Sequence, residues 1–431
     1  METSPIETGA TPGIRALKAR VRFGGLWRHR DFMRLWAGQT VSQLGSTITR
    51  EALPYTAILT LGATPVQMGL LGAASGAPLL LFGLLAGVWV DRLRRRPIMI
   101  AADLARALLL LSIPLAYLLG WLGIGQLYVV AALAGVLTVL FDTAYQAYLP
   151  ALVEREHLVE GNSKLGVSGS IAEIAGPPLG GALVQLISGP VTVLLDAASF
   201  LVSAISLGRI RTAEPAPTPP AERAHVGRDL AAGLRAIWAD RLLRPIAIGS
   251  AIRHFFGWFF GAIYGLYALR ALGMSPAVLG LTVACGGIGS FLGALLVART
   301  PRRLGFGPTT IGALLLAVVG SALTWLAGGW PVAAVPLMVA SQILGDLGRT
   351  AGEINLLSLR QTRTPDWLLG RVNASMNVLG DGIGTLGMLV GGLLAEAIGL
   401  RATVAVAVLG ALAGTLWLAS SPLRRLRALD E

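Results

Sequence analysis

The 431-residue chain is poor in the residues that build most chemistry: one cysteine, Cys285, four histidines and two lysines. A single cysteine excludes an internal disulfide and a cysteine-rich metal site, and so few histidines argue against a histidine-cluster metal enzyme. Charge is scarce as well. Charged residues make up 13% of the chain, about half of the roughly 25% found in soluble globular chains. That is too little to cover a soluble surface, and with 54% hydrophobic residues the chain is neither an ordinary soluble enzyme nor disordered. A Walker loop, a catalytic triad and a metal-binding helix are all missing. We therefore expect no enzyme activity, no ATP drive, no cofactor and no metal. Acids are fewer than bases, giving a net charge of +12. Taken alone this suits a nucleic-acid binder, so the placement of the charges must decide.

What the chain has in abundance is apolar sequence. Its mean hydropathy is +0.68. Apolar stretches of about 20 residues, enough to cross about 30 Å of hydrocarbon, alternate with short breaks. Twelve spans are predicted, at 35–58, 66–90, 98–119, 127–148, 164–187, 191–208, 246–269, 277–298, 307–328, 333–356, 374–397 and 402–420. Each must be helical, because lipid offers backbone groups no partner. Alternate breaks carry the arginines: Arg92 to Arg96, Arg155, Arg209 to Arg244, Arg299 to Arg303, Arg360 to Arg371, and the tail. The intervening breaks have almost none, with Arg270 and Arg401 as exceptions. Positive charge marks the cytoplasmic side. Both termini are thus expected in the cytoplasm of a multi-pass cell-membrane protein, and the basic balance is a topology signal, with no nucleic-acid partner implied. The polar segment from Gly13 to Trp27 reads either as a basic helix on the membrane surface or as a cytoplasmic tail.

The expected units are a basic tail at 1–31, a six-helix bundle at 32–208, a cytoplasmic linker at 209–244 with a proline-rich run at 214–220, a second six-helix bundle at 245–421 and a tail at 422–431. The halves repeat with an offset of 211. Pro65 matches Pro276, Gly69 matches Gly280, Asn162 matches Asn373, and Gly180-Gly181 match Gly391-Gly392, while Asp142 faces Glu353. A constant offset over about 120 residues implies two duplicated bundles, a parallel repeat known from transporters.

The break after the second span reads Gly87-Val88-Trp89-Val90-Asp91-Arg92-Leu93-Arg94-Arg95-Arg96. It resembles the signature loop of the major facilitator superfamily, with Arg94 where that family usually has glycine. The resemblance implies a latch formed by Gly87, Asp91, Arg92, Arg95 and Arg96, with Asp91 capping the positive N-terminus of the eleventh helix near Asn373. Asp142 and Glu353, near cytoplasmic helix ends, are expected to take part in gating. Members of the family often carry an arginine near 142–150 that bonds the signature acid; Tyr145 stands there in this chain. Span five contains Gly176-Pro177-Pro178-Leu179-Gly180-Gly181, which is similar to the antiporter motif of the superfamily's drug exporters. Gly176, Pro177, Gly180 and Gly181 either favour export or simply allow close helix packing. The segments 32–36, 142–150, 158–162 and 195–200 resemble the branch of siderophore and macrolide exporters.

An ionised group at mid-bilayer costs about 2.5–3.5 kcal/mol, so each acid or base inside a span is a site candidate. Glu173, near the middle of span five, is the first choice for a proton carrier. Glu51 and Arg50 in span one, Asp346 in span ten, and Arg253 and His254 in span seven are further candidates for proton coupling or substrate contact. Asp346 with Arg349, and Asp103 with Arg106, have the i,i+3 spacing of helix ion pairs. Aromatic residues crowd span seven from Phe255 to Tyr267 and suit either an amphiphilic ligand or lipid. The Gly382–Gly387 stretch matches the dinucleotide fingerprint but follows no strand and is read as helix packing.

The expected fold is an all-α membrane protein of twelve helices in two pseudo-twofold-related bundles. The expected function is proton-coupled export of small amphiphilic molecules (drugs, natural products or siderophores) by a monomer in the lipid bilayer. The alternatives are an uncoupled facilitator or lipid flippase on the same fold, and a non-transporting sensor or scaffold.

Overall fold

The computed structural model describes residues 25–90, 92–212, 214, 226–297 and 305–428. The Gly13–Trp27 segment therefore lies largely outside the described residues, as does Asp91. The first half contains α1 (Arg30–Tyr55), α2 (Pro65–Val90), α3 (Arg95–Leu118), α4 (Ile124–Leu152), α5 (Leu158–Ile187) and α6 (Gly189–Gly208). An amphipathic helix, α7 (Val226–Ala239), precedes the second half. That half contains α8 (Leu243–Leu266), α9 (Pro276–Val297), α10 (Phe306–Ala327) and α11 (Ala334–Arg363), then a span in two pieces, α12 (Asp366–Asn377) and α13 (Ile383–Ile398), and finally α14 (Leu400–Ser420). Among the described residues eleven stretches are long and apolar enough to cross a membrane. The twelfth span is α1, which is 26 residues long and so rises about 39 Å. Its low apolarity has a structural cause. It packs on α5 and α6, and its Gln39, Ser42 and Thr47 are buried inside the bundle.

The duplication is visible in backbone detail. A π-helical turn ends α1 at Thr56–Thr60 and another ends α8 at Tyr267–Ala271, 211 residues on. The following loops each turn on a glycine of positive φ, Gly62 at 67° and Gly273 at 66°, where a side chain would be strained. The corners between spans five and six and between eleven and twelve match as well, through Ser188 (φ 77°) and Gly399 (φ 86°). A third π-turn, Val378–Gly382, breaks span eleven and has no counterpart in the first half.

The two ends of the molecule are built differently. At the charge-poor end one apolar core crosses both halves, with Tyr55, Ile58, Met68 and Leu71 packed in the same cluster as Leu266, Leu269, Met274 and Leu279. At the arginine-rich end each half has its own core: one built around Phe32, Met99, Phe141 and Tyr148, the other around Ile246, Phe306, Leu314 and Leu359. The seam that joins the halves is itself twofold. At Gly181 of α5 an added Cβ would strike the backbone of Pro276 on α9, and at Gly392 of α13 it would strike Pro65 and Gly69 on α2. Arg270, one of the two topology exceptions, donates across the seam to the Ile58 carbonyl at 2.8 Å. The other, Arg401, lies over the Trp325 ring at 5.1 Å. Both exceptions thus have local partners of their own.

The arginine-rich end is tied within each half. Asp31 accepts from the backbone N–H groups of Arg211 (3.0 Å) and Thr212 (2.8 Å) and from Arg34 (2.7 Å), which staples the start of α1 to the segment after α6. Glu214 caps α3 by accepting from the Arg95 N–H at 2.7 Å and the Arg96 N–H at 3.2 Å. In the second half the tail closes on α10, with Phe306 and Gly307 N–H donating to Arg427 and Leu426 carbonyls.

Candidate substrate cavity

Two lobes of similar size lie one in each half, and each takes one lining residue from the other half. The first, about 410 Å³, is walled by α1, α2, α3, α4 and α6, and carries Ser46, Arg50, Arg106, Asp142 and Asp196. The second, about 430 Å³, is walled by α8 to α11 and carries Arg253, Phe260, Tyr264, Gln342, Asp346 and Arg349, together with Glu51 from α1. Both lobes touch Gly261, and α1 divides them, presenting Arg50 to one and Glu51 to the other. The sequence spacing explains this split, because neighbouring residues on a helix point about 100° apart.

The predicted acids and bases are sorted into pairs. Arg50 does not need Glu51: its Nη1 donates to both carboxylate oxygens of Glu173 at 2.9 Å. Glu173 is thus joined to α1 and half exposed, at 58% of its side-chain surface, where the sequence suggested a desolvated group. Asp346 and Arg349 form the expected i,i+3 pair at 2.6 Å and both face the second lobe. Asp103 and Arg106 also pair, fully buried, and the Arg106 guanidinium is stacked between Phe141 (4.5 Å) and Phe200 (4.1 Å). Arg253, in the wall of the second lobe, reaches Glu353 on α11 at 3.0 Å, and Glu353 itself lines a neighbouring smaller cavity.

His254 has its Nδ1 2.8 Å from the Ser250 carbonyl of its own helix and faces a separate small cavity of about 140 Å³ with Glu353 and Arg360. The span-seven aromatics divide: Phe260 and Tyr264 line the second lobe, Tyr264 accepting from Gln342 at 2.8 Å, while Phe255, Phe256 and Phe259 pack on one another.

Asp196 was not among the sequence candidates. It sits on α6 with 2% exposure and accepts from Ser199 at 2.9 Å and Ser46 at 3.3 Å. The signal was available, since Asp196 is an acid inside the apolar span 191–208 and the cost of a mid-bilayer charge applies to it as to Glu173.

The antiporter-like motif is a two-sided contact. Gly176 and Gly180 face Thr47, Ile48 and Glu51 of α1, whereas Gly181 and the Pro177 carbonyl meet α9 at Pro276 and Gly280. The helix runs unbroken through Pro177 and Pro178. Of the latch residues, Gly87 lies in α2, Arg92 is exposed, and Arg96 donates to the last carbonyls of α6 at Leu207 and Gly208. Asn373 is not a helix start: α12 begins seven residues earlier, at Asp366. The site expected for an Asp91 cap is therefore mid-helix, and the free N-terminus of that span lies beside Pro365.

A bundle of twelve spanning helices in two pseudo-twofold halves around a central cavity defines a major facilitator transporter, a multi-pass membrane protein and not an enzyme. Within that superfamily the chain belongs to the transmembrane secretion effector family, whose model matches residues 25–431. It is 30% identical to the multidrug efflux pump Tap of Mycolicibacterium fortuitum over 83% of this chain and 88% of that one. It is 27% identical to the enterobactin exporter EntS of Citrobacter koseri over 76% of each. Among solved structures it resembles the nucleoside transporter NupG in a mutant form (TM-score 0.75, 12% identity, 90% of this chain and 99% of that one). It also resembles a bacterial homologue of the iron transporter ferroportin in its inward-facing state (TM-score 0.73, 17% identity, 92% and 99%).

Proposed function

We propose that the protein exports small amphiphilic molecules by alternating access, driven by inward proton flow, with its arginine-rich end and both termini in the cytoplasm. The observation that carries the reading is the unequal construction of the two ends. An apolar core shared by both halves and a glycine seam close the charge-poor end, while separate cores leave the halves independent at the other. Such a molecule can rock about its midplane cavity. In this reading the conformation is inward-facing.

Proton coupling needs an acid whose partner changes with the rocking motion. Glu173 meets that need, since its arginine comes from another helix and lines the first lobe, and both side chains are more than half exposed. A membrane potential of 100 mV adds about 2.3 kcal/mol per charge moved. Substrate selectivity comes from the lobes' apolar walls and the efflux activities of Tap and EntS support export. Asp91 with Arg92, Arg95 and Arg96 is assigned to the latch, with Asp142 and Glu353 as gating acids. The monomer is taken as the working unit.

The test uses the purified protein in proteoliposomes with an imposed pH gradient and the dye ethidium as probe. Uphill ethidium movement that collapses with the gradient supports the proposal, and Glu173→Gln is expected to abolish it while dye binding stays measurable. Movement only down the dye gradient would establish the uncoupled facilitator instead.

A further inference from the structure

The charges around the two lobes do not balance, and the imbalance has one sign. Four arginines face the lobes, and each is bound to an acid: Arg50 to Glu173, Arg106 to Asp103, Arg253 to Glu353 and Arg349 to Asp346. Three cavity acids are left over. Glu51, Asp142 and Asp196 line the lobes, and among the described residues none of them is in an ion pair. Asp196 already has two hydroxyl donors, Ser46 and Ser199, which fix its carboxylate but bring no positive charge. Among the described residues Asp142 has no hydrogen-bond donor, and it stands exposed in the first lobe. The aromatic faces of Phe260 and Tyr264 in the second lobe add negative ring potential, whereas the Phe200 ring in the first is already covered by Arg106.

We propose that the cavity selects organic cations: the cationic head of an amphiphile is held by Asp142 and Asp196 in the first lobe, and its apolar body crosses Gly261 towards Glu51, Phe260 and Tyr264 in the second. The arginines do not offset this preference, because each is already neutralised. Anionic amphiphiles are disfavoured for the same reason, since they would have to enter a lobe whose spare charges repel them. The inference rests on the transport reading for its biological meaning, but it concerns binding alone and is tested without a gradient.

Tetraphenylphosphonium and tetraphenylborate share one shape and differ in the sign of their charge. Binding of each to the full-length purified protein is measured by equilibrium dialysis, with protein-free micelles subtracted. Wild-type protein is expected to bind the phosphonium at least about tenfold more tightly than the borate. Asp142→Asn, Asp196→Asn and Glu51→Gln are each expected to weaken phosphonium binding about tenfold, the range of one charge-assisted contact. Asp346→Asn frees Arg349 and is expected to strengthen borate binding, a change that a merely structural role would not produce. If Asp196→Asn fails to fold, the exposed Asp142 and the wild-type ratio still decide. Equal binding of the two ions, or unchanged phosphonium binding in both Asp142→Asn and Glu51→Gln, overturns the inference. Loss of cation preference alongside intact uphill export removes only this inference. Acid-dependent phosphonium binding in a protein that exports nothing uphill supports it and removes the export reading.

Discussion

If the glycine seam is what closes the charge-poor end, a methyl group placed in it should open that end. At Gly181 the new Cβ would strike the Pro276 carbonyl and the Ala277 backbone. These are main-chain atoms at a helix start and cannot swing aside as a side-chain tip would. Overpacking of this kind costs about 1–3 kcal/mol, and the cost is felt only while the halves touch. Replacing a helical glycine by alanine also gains about 1 kcal/mol of helix propensity. That gain is common to both conformations and cancels in the equilibrium between them. Gly181→Ala should therefore shift the balance towards the form open at the charge-poor end by about 5- to 150-fold. Gly392→Ala, at the twofold-related contact with Pro65 and Gly69, should do the same, and the double variant should add the two effects. The assay is maleimide labelling of cysteines introduced at each end, after Cys285 has been replaced. Labelling should rise at the charge-poor end and fall at the arginine-rich end. Gly166→Ala is the control, because nothing lies within 4 Å of the added atom there. Unchanged labelling in the double variant, or an equal change in the control, would refute the reasoning.

Three other outcomes are expected. Asp103→Asn leaves Arg106 buried without its counter-charge and should destabilise the fold by about 3–5 kcal/mol, read as a large drop in melting temperature in detergent. Arg50→Ala, by contrast, breaks a pair that is more than half exposed on both sides, so its stability cost should stay below about 1 kcal/mol while gradient-driven dye transport falls steeply. Asp31→Ala removes the acceptor shared by Arg34, Arg211 and Thr212 and should cost about 1–3 kcal/mol, with proteolysis between α6 and α7 as a second readout.

The helices were legible because lipid imposes one rule on every span: apolar residues for about 30 Å, in a helix. The duplication was legible because the turns need particular residues, so Pro65 and Pro276, or Gly62 and Gly273, survive at a fixed offset. Partner choice was not legible. Nothing in the order of residues says that Arg50 looks past Glu51 to Glu173, or that Arg253 reaches Glu353 100 residues away, because those pairings depend on how α1, α5, α8 and α11 rotate as they pack. Helix ends in the second half were also missed. The polar stretch from Asp366 to Asn373 hides the first turns of span eleven, which led to a cap position too far along the chain.

The two halves have diverged in one respect and not in another. Positions that make the seam and its hinges match across the offset: Pro65 with Pro276, Gly181 with Gly392, and the two π-turns. Most of the charged positions around the lobes do not. Arg50 and Glu173 correspond to Gly261 and Gly384, Arg106 to Ala317, Asp196 to Ala407, and Asp346 with Arg349 to Gly135 and Thr138. Only Asp142 and Glu353 keep an acid on both sides. A rocking mechanism needs matched halves, since a contact that opens at one end must have an equivalent that opens with it. Binding a single molecule asymmetrically needs the reverse. If that division is right, exchanging seam residues between equivalent positions should preserve the conformational balance, whereas moving the Arg50–Glu173 pair to 261 and 384 should leave labelling at both ends unchanged and alter which probe is bound. A pair whose transfer shifted the labelling instead would show that charge and mechanics are not separable in this molecule.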